Sequence, residues 1–412
     1  MATLLVQDSI PEFNSLPALT EAELHAIAEE TSAVLGDLLA NHTLSSATLR
    51  SYSSALRYWD AWHRASLGTQ LPLLRTPRAP VPPETVAAFI AHHSPRQAGG
   101  LTEISMPAVV LARLQQIGAI GQRQVAKRNG KRATADVPSL ATIEHRLAAL
   151  SACHRLANLV PDFKDAPAVR QARRALQNRV SDTAPAMLRK PKMAAKRDVL
   201  NRMLETCLED GLRGIRDAAI LHVGFHGGGR RRSEIAAMRW ADLTPIVLPE
   251  PIDGLVDGYR WELFRTKGRR RQRADKGVLT IDLLGFVAEA IDSWRDACIR
   301  SGLPLDEQVW YRVIKRRDVP GTWWPSTPMI PEDIRQVIRM RASAAGLNPD
   351  DFAGHSLRSG AATTFLEEGG HITDASRILD HLSSETTRKH YDHRDGPTDA
   401  LARLVSRHPR GK

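Results

Sequence analysis

GHSLRSGAATTFLEEGG, residues 354–370, is the stretch that says most about this chain. His355 and Arg358 are three residues apart, so at the start of a helix their side chains project to one side and can address one phosphate. Small residues at 359–363 let such a helix pack closely against a neighbour. An isolated HxxR occurs often and fits a capping or surface turn, but the whole phrase is much more specific. The stretch therefore predicts a closely packed helix that begins at an anion site.

A second basic cluster, GGGRRRSE at 227–234, lies upstream. The glycines permit a left-handed turn at the end of a preceding helix. The guanidinium group of Arg231 can hold phosphate oxygens at two points. Since the N-terminus of a helix disfavours added positive charge, an anion near Arg230, Arg231 and Arg232 would relieve the conflict. The alternative is a solvated helix start, or nonspecific contact with a nucleic-acid backbone.

A third cluster lies between two stretches that alternate apolar and polar residues, GYRWELFRT at 258–266 and KGVLTIDL at 276–283. They predict a two-stranded hairpin. The segment 265–276 at its turn holds seven basic residues and one acidic residue. Lys267 lies at the turn end of the first strand. Electrostatic binding of backbone phosphates fits the other basic residues better, namely Arg265, Arg269, Arg270, Arg271 and Arg273.

The last candidates are His381 and Tyr391. His381 follows a short helix predicted at 375–379, and a lone histidine there would more often be structural. Tyr391 is the only one of the five tyrosines beyond residue 311, which makes it the sole candidate nucleophile downstream. A phenol titrates near pH ~10, so neighbouring cations must favour its phenolate at neutral pH.

The order of these residues resembles the tyrosine recombinase (phage integrase) family. The resemblance implies a site-specific DNA recombinase that cleaves and rejoins strands through a 3′-phosphotyrosine intermediate. Its catalytic residues would be Arg231, Lys267, His355, Arg358, His381 and Tyr391. The arginines would hold non-bridging oxygens, Lys267 would protonate the leaving 5′ oxygen, and the histidines would assist. Two departures are LDH in place of LGH, and a spacing of ten residues from His381 to Tyr391, one more than the family pattern.

Composition limits the partners. The chain has 412 residues, a net charge of +11 and a pI of about 9.9, so a polyanion is favoured. Charge alone leaves DNA, RNA and anionic membrane open. Cys153, Cys207 and Cys298 lie far apart and form no CxxC pair. Without a stretch of 18 apolar residues, a P-loop or paired carboxylates, we expect a cytoplasmic protein with no membrane segment, metal or cofactor.

The domain prediction rests on helical periodicity and composition. Residues 40–180 read as entirely helical, and phrases such as ATLRSYSSALRYWDAWHRA at 47–65 resemble the core-binding domain of the same family. The aromatic residues of that helix are expected in the core. The fold expected is mainly α with a small β-sheet, a C-shaped clamp around DNA. Its parts are an N-terminal arm or helix at 1–39, a SAM-like core-binding domain at 40–180, a basic linker at 181–197, an α+β catalytic domain at 198–395 and a tail at 396–412.

The resemblance also implies double-stranded DNA as partner, with a tetramer on paired sites and a monomer when free. The tail could dock on a neighbouring subunit. DNA contacts are expected, besides the hairpin arginines, from Arg50, Arg57, Lys190, Lys192, Arg230 and Arg232. Two alternatives stay open: a type IB topoisomerase or telomere resolvase, which share this chemistry, and a non-catalytic DNA-binding regulator. The presence of every catalytic residue type argues against the regulator.

Overall fold

A computed structural model shows two compact units, Met1–Lys190 and Pro191–Lys412. The division falls inside the stretch that the sequence predicts as a linker. The structure describes residues 20–40, 44–98, 101–120, 127–128, 131–132, 137–159, 163–188, 192–263, 279–303, 305, 307–315, 323–381 and 384–391.

The first unit is built of helices around an aromatic core. Its helices are α1 (Glu21–Ala40), α2 (Ser46–Leu67), α3 (Pro83–His92), α4 (Ala108–Gln116), α5 (Leu140–Leu156) and α6 (Pro167–Thr183). Ser45 caps α2 by accepting a hydrogen bond from Thr48 N. Trp59 stacks on Phe89 with ring centroids 3.7 Å apart, and both rings are fully buried. The aromatic residues of α2 therefore form core, as the sequence predicts.

The prediction that residues 40–180 contain no strand is wrong. Strands β1 (Pro95–Ala98) and β2 (Leu101–Ile104) form an antiparallel hairpin, and two-residue strands β3 (Lys127–Arg128) and β4 (Lys131–Arg132) pair as well. At four residues or fewer, these strands are too short to produce a readable alternation of polarity. The last turns of helix α1 contribute Leu35, Leu38 and Leu39 to the same core as α2.

The second unit combines helices with small antiparallel sheets. Its helices are α7 (Arg197–Glu205), α8 (Gly211–His226), α9 (Arg232–Ala236), α10 (Phe286–Arg300), α11 (Pro331–Ala344), α12 (Ser356–Glu367), α13 (Ile372–Ile378) and α14 (Ser384–Tyr391). Its strands are β5 (Leu243–Ile252), β6 (Leu255–Leu263), β7 (Leu279–Leu284), β8 (Tyr311–Lys315) and β9 (Trp323–Pro328). The predicted class, mainly α with a small β component, is confirmed.

The main sheet is larger than the predicted hairpin. Strand β6 pairs with β7, as predicted, and also with β5 on its other side. The segment RRSEIAAMRWADL at 231–243 favours one continuous helix by its local sequence. That helix, α9, ends at Ala236 because Arg239 forms a β-bridge with Gln308 and Trp240 N donates to Glu307 O. Tertiary pairing with a distant segment thus overrides local helical periodicity.

The core of the second unit contains Trp261, Trp294 and Trp310, each at most 2% exposed. Trp294 donates from its indole nitrogen to Val309 O at 2.7 Å, so its polar atom is satisfied inside the core. Among the described residues, no helix is both long and apolar enough to cross a bilayer.

Candidate active site

The turn between α8 and α9 carries the first predicted arginines. Gly228 and Gly229 have φ angles of 81° and 66°, the left-handed conformation that the glycine run predicts. Arg231 follows as the N-cap of α9. The carboxylate of Glu234 accepts from Arg231 N at 3.0 Å and from Arg231 Nη1 at 2.6 Å. Because the Glu234 side chain is only 3% exposed, it holds the arginine by a short, largely buried ion pair.

Helix α12 brings Arg358 to the same turn. Arg358 is 1% exposed, and its Nη1 donates to Gly229 O at 2.7 Å across 129 residues of chain. Its Nη2 donates to Leu379 O in the residue after α13. A Cβ on Gly229 would lie 3.1 Å from the backbone of Arg358, so glycine is needed for this close approach. The fold thus brings together the two arginine motifs that the sequence predicts to act on one phosphate.

Arg230 interacts electrostatically with both of these arginines and is completely buried. Its Nη2 donates to Gly228 O at 2.7 Å and also to Ile378 O. Nε and Nη1 have no hydrogen-bond partner among the described residues. Burial lowers the pKa of Arg230 to about 10; Glu234 opposes this change, while Arg358 and Arg231 reinforce it. Contact of Arg230 with DNA would require its side chain to leave this buried position, and contact of the equally buried Arg358 with a phosphate would require a comparable local rearrangement.

Segment 192–196 anchors the start of α12. Met193 N donates to Asp351 O and Ala195 N donates to Ser356 O, at 2.8 and 2.9 Å. Lys192, predicted to contact DNA, donates from Nζ to Asp350 O. His355 is the exposed N-cap of α12. The two predicted catalytic residues of the HxxR motif therefore differ in burial: His355 lies at the surface and Arg358 lies inside.

The last two predicted catalytic residues, His381 and Tyr391, lie near the end of the described chain. His381 Nδ1 lies 2.7 Å from Thr387 Oγ1, and Thr387 is a fully buried residue of α14. Ser376 Oγ also reaches Thr387 Oγ1 at 2.7 Å. Tyr391 is the last residue of α14, one helical turn beyond Thr387. Only the backbone of Tyr391 belongs to the described part of the chain.

Comparison with known proteins identifies the family. Residues 195–396 match the model of the phage integrase family. The chain belongs to this family of tyrosine recombinases. Its enzyme class is that of a site-specific DNA recombinase.

The recombinase resembles two curated proteins along part of its length. It is 28% identical over 243 residues to tyrosine recombinase XerC of Xanthomonas axonopodis pv. citri (strain 306), covering 57% of this chain and 67% of XerC. It is 27% identical over 171 residues to the integrase/recombinase xerD homolog of Selenomonas ruminantium, covering 42% of this chain and 44% of that protein.

Solved structures share the fold. The XerH site-specific recombinase in a post-cleavage complex with a palindromic difH substrate gives a TM-score of 0.51 at 14% identity, covering 95% of this chain and 90% of XerH. The Tn1549 transposon integrase in complex with transposon right end DNA gives a TM-score of 0.50 at 13% identity, covering 92% of this chain and 99% of the integrase chain.

The remaining predicted residues of the recombinase are dispersed. Arg50 and Arg57 are exposed on α2 in the first unit. Arg232 is exposed and pairs with Glu332 at 3.2 Å. The others lie outside the described residues: Lys190, Arg265, Lys267, Arg269, Arg270, Arg271 and Arg273. The described residues contain no cluster of three or more metal-ligating side chains.

Sequence reasoning missed Thr387 and Ser376, two residues of this recombinase that form the hydrogen-bonded chain to His381. Neither lies in a recognisable motif. The only signal for Thr387 is its position one helical turn before the sole downstream tyrosine, and Ser376 carries no signal at all. Both become visible only when α13 and α14 pack together.

Proposed function

We propose that the recombinase cleaves DNA with Tyr391 as nucleophile and with Arg231 and Arg358 as the phosphate-binding pair. The observation that carries this proposal is the hydrogen bond from Arg358 Nη1 to Gly229 O, two residues before Arg231. It brings guanidinium groups from α12 and from the start of α9 to one turn. Positive charge concentrated there stabilises the equatorial oxygens of a phosphate in the transition state.

The chemical steps follow from the residue types. The Tyr391 oxygen attacks phosphorus in line with the P–O5′ bond, which breaks as the P–O(Tyr) bond forms. Lys267 gives the leaving 5′ oxygen its proton, and His355 and His381 assist proton transfer and charge stabilisation. The product is a 3′-phosphotyrosine with a free 5′ hydroxyl. Attack by the 5′ hydroxyl of another strand reverses these bond changes, so joining needs no ATP.

Its partner is double-stranded DNA. Exposed Arg50 and Arg57 on the first unit and the basic segment at 265–273 supply phosphate contacts, in keeping with the net charge of +11. We assign residues 40–180 to core binding, 198–395 to catalysis and 181–197 to the link between them. The protein acts in the cytoplasm, free as a monomer and as a tetramer on paired sites, with the tail at 396–412 docking on a neighbour.

The deciding experiment measures a covalent complex between the full chain and DNA that is nicked beside its cleavage site, so that the cleaved end diffuses away. Wild-type protein should give a complex that survives denaturation, with and without EDTA. Tyr391→Phe should give none while binding DNA normally. A persistent complex in Tyr391→Phe, or none with wild-type protein, would reject the assignment. Supercoil relaxation by wild-type protein on a plasmid with a single site would favour a type IB topoisomerase instead.

A further inference from the structure

The hydroxyl of Thr387 joins three segments of the site. Thr387 belongs to α14, Ser376 to α13, and His381 to the loop between them. Thr387 Oγ1 lies 2.7 Å from Ser376 Oγ and 2.7 Å from His381 Nδ1, and its residue is fully buried. Two short hydrogen bonds to one buried hydroxyl make its replacement by an apolar group costly.

The hydroxyl groups of Thr387 and Ser376 can complete a chain of hydrogen bonds to His381 in either protonation state of its ring. When neutral His381 carries its proton on Nε2, Ser376 donates to Thr387 and Thr387 donates to Nδ1. When the imidazole is charged, Nδ1–H donates to Thr387, Thr387 donates to Ser376, and Ser376 donates to Ile372 O, 2.9 Å away. In both states Nδ1 is committed to Thr387, so contact with a phosphate oxygen goes through Nε2.

We propose that Thr387 is the positioning residue that sets the ring of His381 and couples it to the nucleophile's helix. The proposal rests on the proposed function, because it takes His381 as a phosphate-binding residue and Tyr391 as nucleophile. Tyr391 lies one helical turn after Thr387 on α14. Docking α14 against α13 therefore orients the histidine in the same step that places the backbone of the tyrosine.

This coupling gives the ten-residue spacing from His381 to Tyr391 a physical meaning. The helix carrying the tyrosine starts at Ser384, and its contact with His381 is made through Thr387. The register between histidine and tyrosine is thus fixed by a side-chain hydrogen bond, and the number of residues in the intervening loop is of secondary importance.

The test compares Thr387→Val, which keeps the shape and removes the hydroxyl, with Thr387→Ser, which keeps the hydroxyl. The measured quantity is the rate of covalent complex formation on nicked DNA, beside DNA affinity and the melting temperature. Hydrogen-bond partners that orient metal-binding histidines are worth about tenfold to a hundredfold. By the same physical effect, Thr387→Val should slow attachment by about tenfold. Thr387→Ser should stay within about threefold of wild type.

A double-mutant cycle separates positioning from folding. In a His381→Phe background the ring nitrogen is gone, so adding Thr387→Val should change the rate by less than about twofold. An equal loss in both backgrounds, a failure of Thr387→Ser to retain activity, or a wild-type rate in Thr387→Val would overturn the inference alone. Absence of any complex with wild-type protein would overturn the proposed function as well.

Discussion

The pair formed by Arg231 and Glu234 shows how a single carboxylate can hold the arginine that we propose to bind phosphate. Glu234 accepts from both the backbone and the guanidinium of Arg231 and is almost completely buried. Such a charge-assisted contact fixes the direction of the guanidinium group before a phosphate arrives. It also restrains one of the two guanidinium groups, those of Arg231 and Arg358, whose charges help to lower the pKa of the buried Arg230.

We expect Glu234→Gln to slow covalent attachment at least about tenfold, because hydrogen bonds to charged groups contribute about 1.5–3 kcal/mol and about 1.4 kcal/mol is a factor of ten. Glu332→Gln is the matched control, since Glu332 pairs with the neighbouring Arg232 at the surface, where ion pairs contribute little. Single-turnover rates on nicked DNA check both variants. Equal slowing by the two substitutions would contradict a specific role for Glu234.

The three cysteines illustrate a second effect of burial. Burial raises the pKa of Cys153 and Cys298 to about 12 and that of Cys207 to about 11. Since the thiolate is the reactive form, all three should resist a thiol reagent at neutral pH in the native protein. All three should react once denaturant exposes them. Stoichiometric labelling of the native protein within minutes would show that at least one thiol is open to solvent.

The sequence reveals residues whose function follows from a local motif, and it misses residues whose function depends on how helices pack together. The glycine turn, Arg231 and Arg358 could be predicted because spacing within each motif determines their local geometry. Thr387 could not, since its role depends on α13 and α14 lying side by side. Nor does the sequence predict that Arg230 lies inside while its neighbour Arg232 stays exposed.

At the scale of elements, local periodicity is reliable where a helix is long and fails where the chain pairs with a distant segment. Helix α2 could be predicted from the helical periodicity of residues 47–65. Helix α9 stops early because Arg239 pairs with Gln308. Strand β5 is not evident from the sequence because its last four residues, 249–252, are exposed on both faces and show no alternation of burial.

Helix α12 depends on a close backbone contact at Gly360. A Cβ there would lie 1.8 Å from Ala195 O, and backbone atoms cannot move aside cheaply. We expect Gly360→Ala to lower the free energy of unfolding by about 2 kcal/mol or more, through steric overlap. The shift of α12 should also displace Arg358 and slow cleavage.

Gly36→Ala is the control for the substitution at Gly360, because it adds the same methyl group to a helix where there is space for it. Gly36 lies within α1, and a Cβ there would meet nothing within 4 Å. Alanine in that position should raise the free energy of unfolding by up to about 1 kcal/mol, because it favours the helix. Denaturant unfolding of both variants makes the comparison. A Gly360→Ala protein as stable as wild type would show that the segment at 192–196 can move to make room for the added methyl group.

At the scale of the whole molecule, the two units have separate hydrophobic cores, one centred on Trp59 and the other on Trp294. The basic groups proposed to contact DNA are likewise distributed over both, from α2 to the segment at 265–273. Each phosphate that a protein neutralises releases condensed counterions, so the dependence of affinity on salt counts these contacts over the entire molecule.

Replacing both Arg50 and Arg57 by alanine should therefore reduce the slope of log affinity against log salt by about 1.8 in magnitude, which is about 0.9 for each lost phosphate contact. Both side chains are exposed on one helix. Arg96→Ala is the control, because Arg96 is an exposed arginine of the same unit already paired with Glu103 at 3.2 Å. Its slope should match that of wild type. An unchanged slope in the double variant would mean that this face of α2 does not meet the phosphate backbone, and the DNA path proposed across the first unit would have to run over another helix.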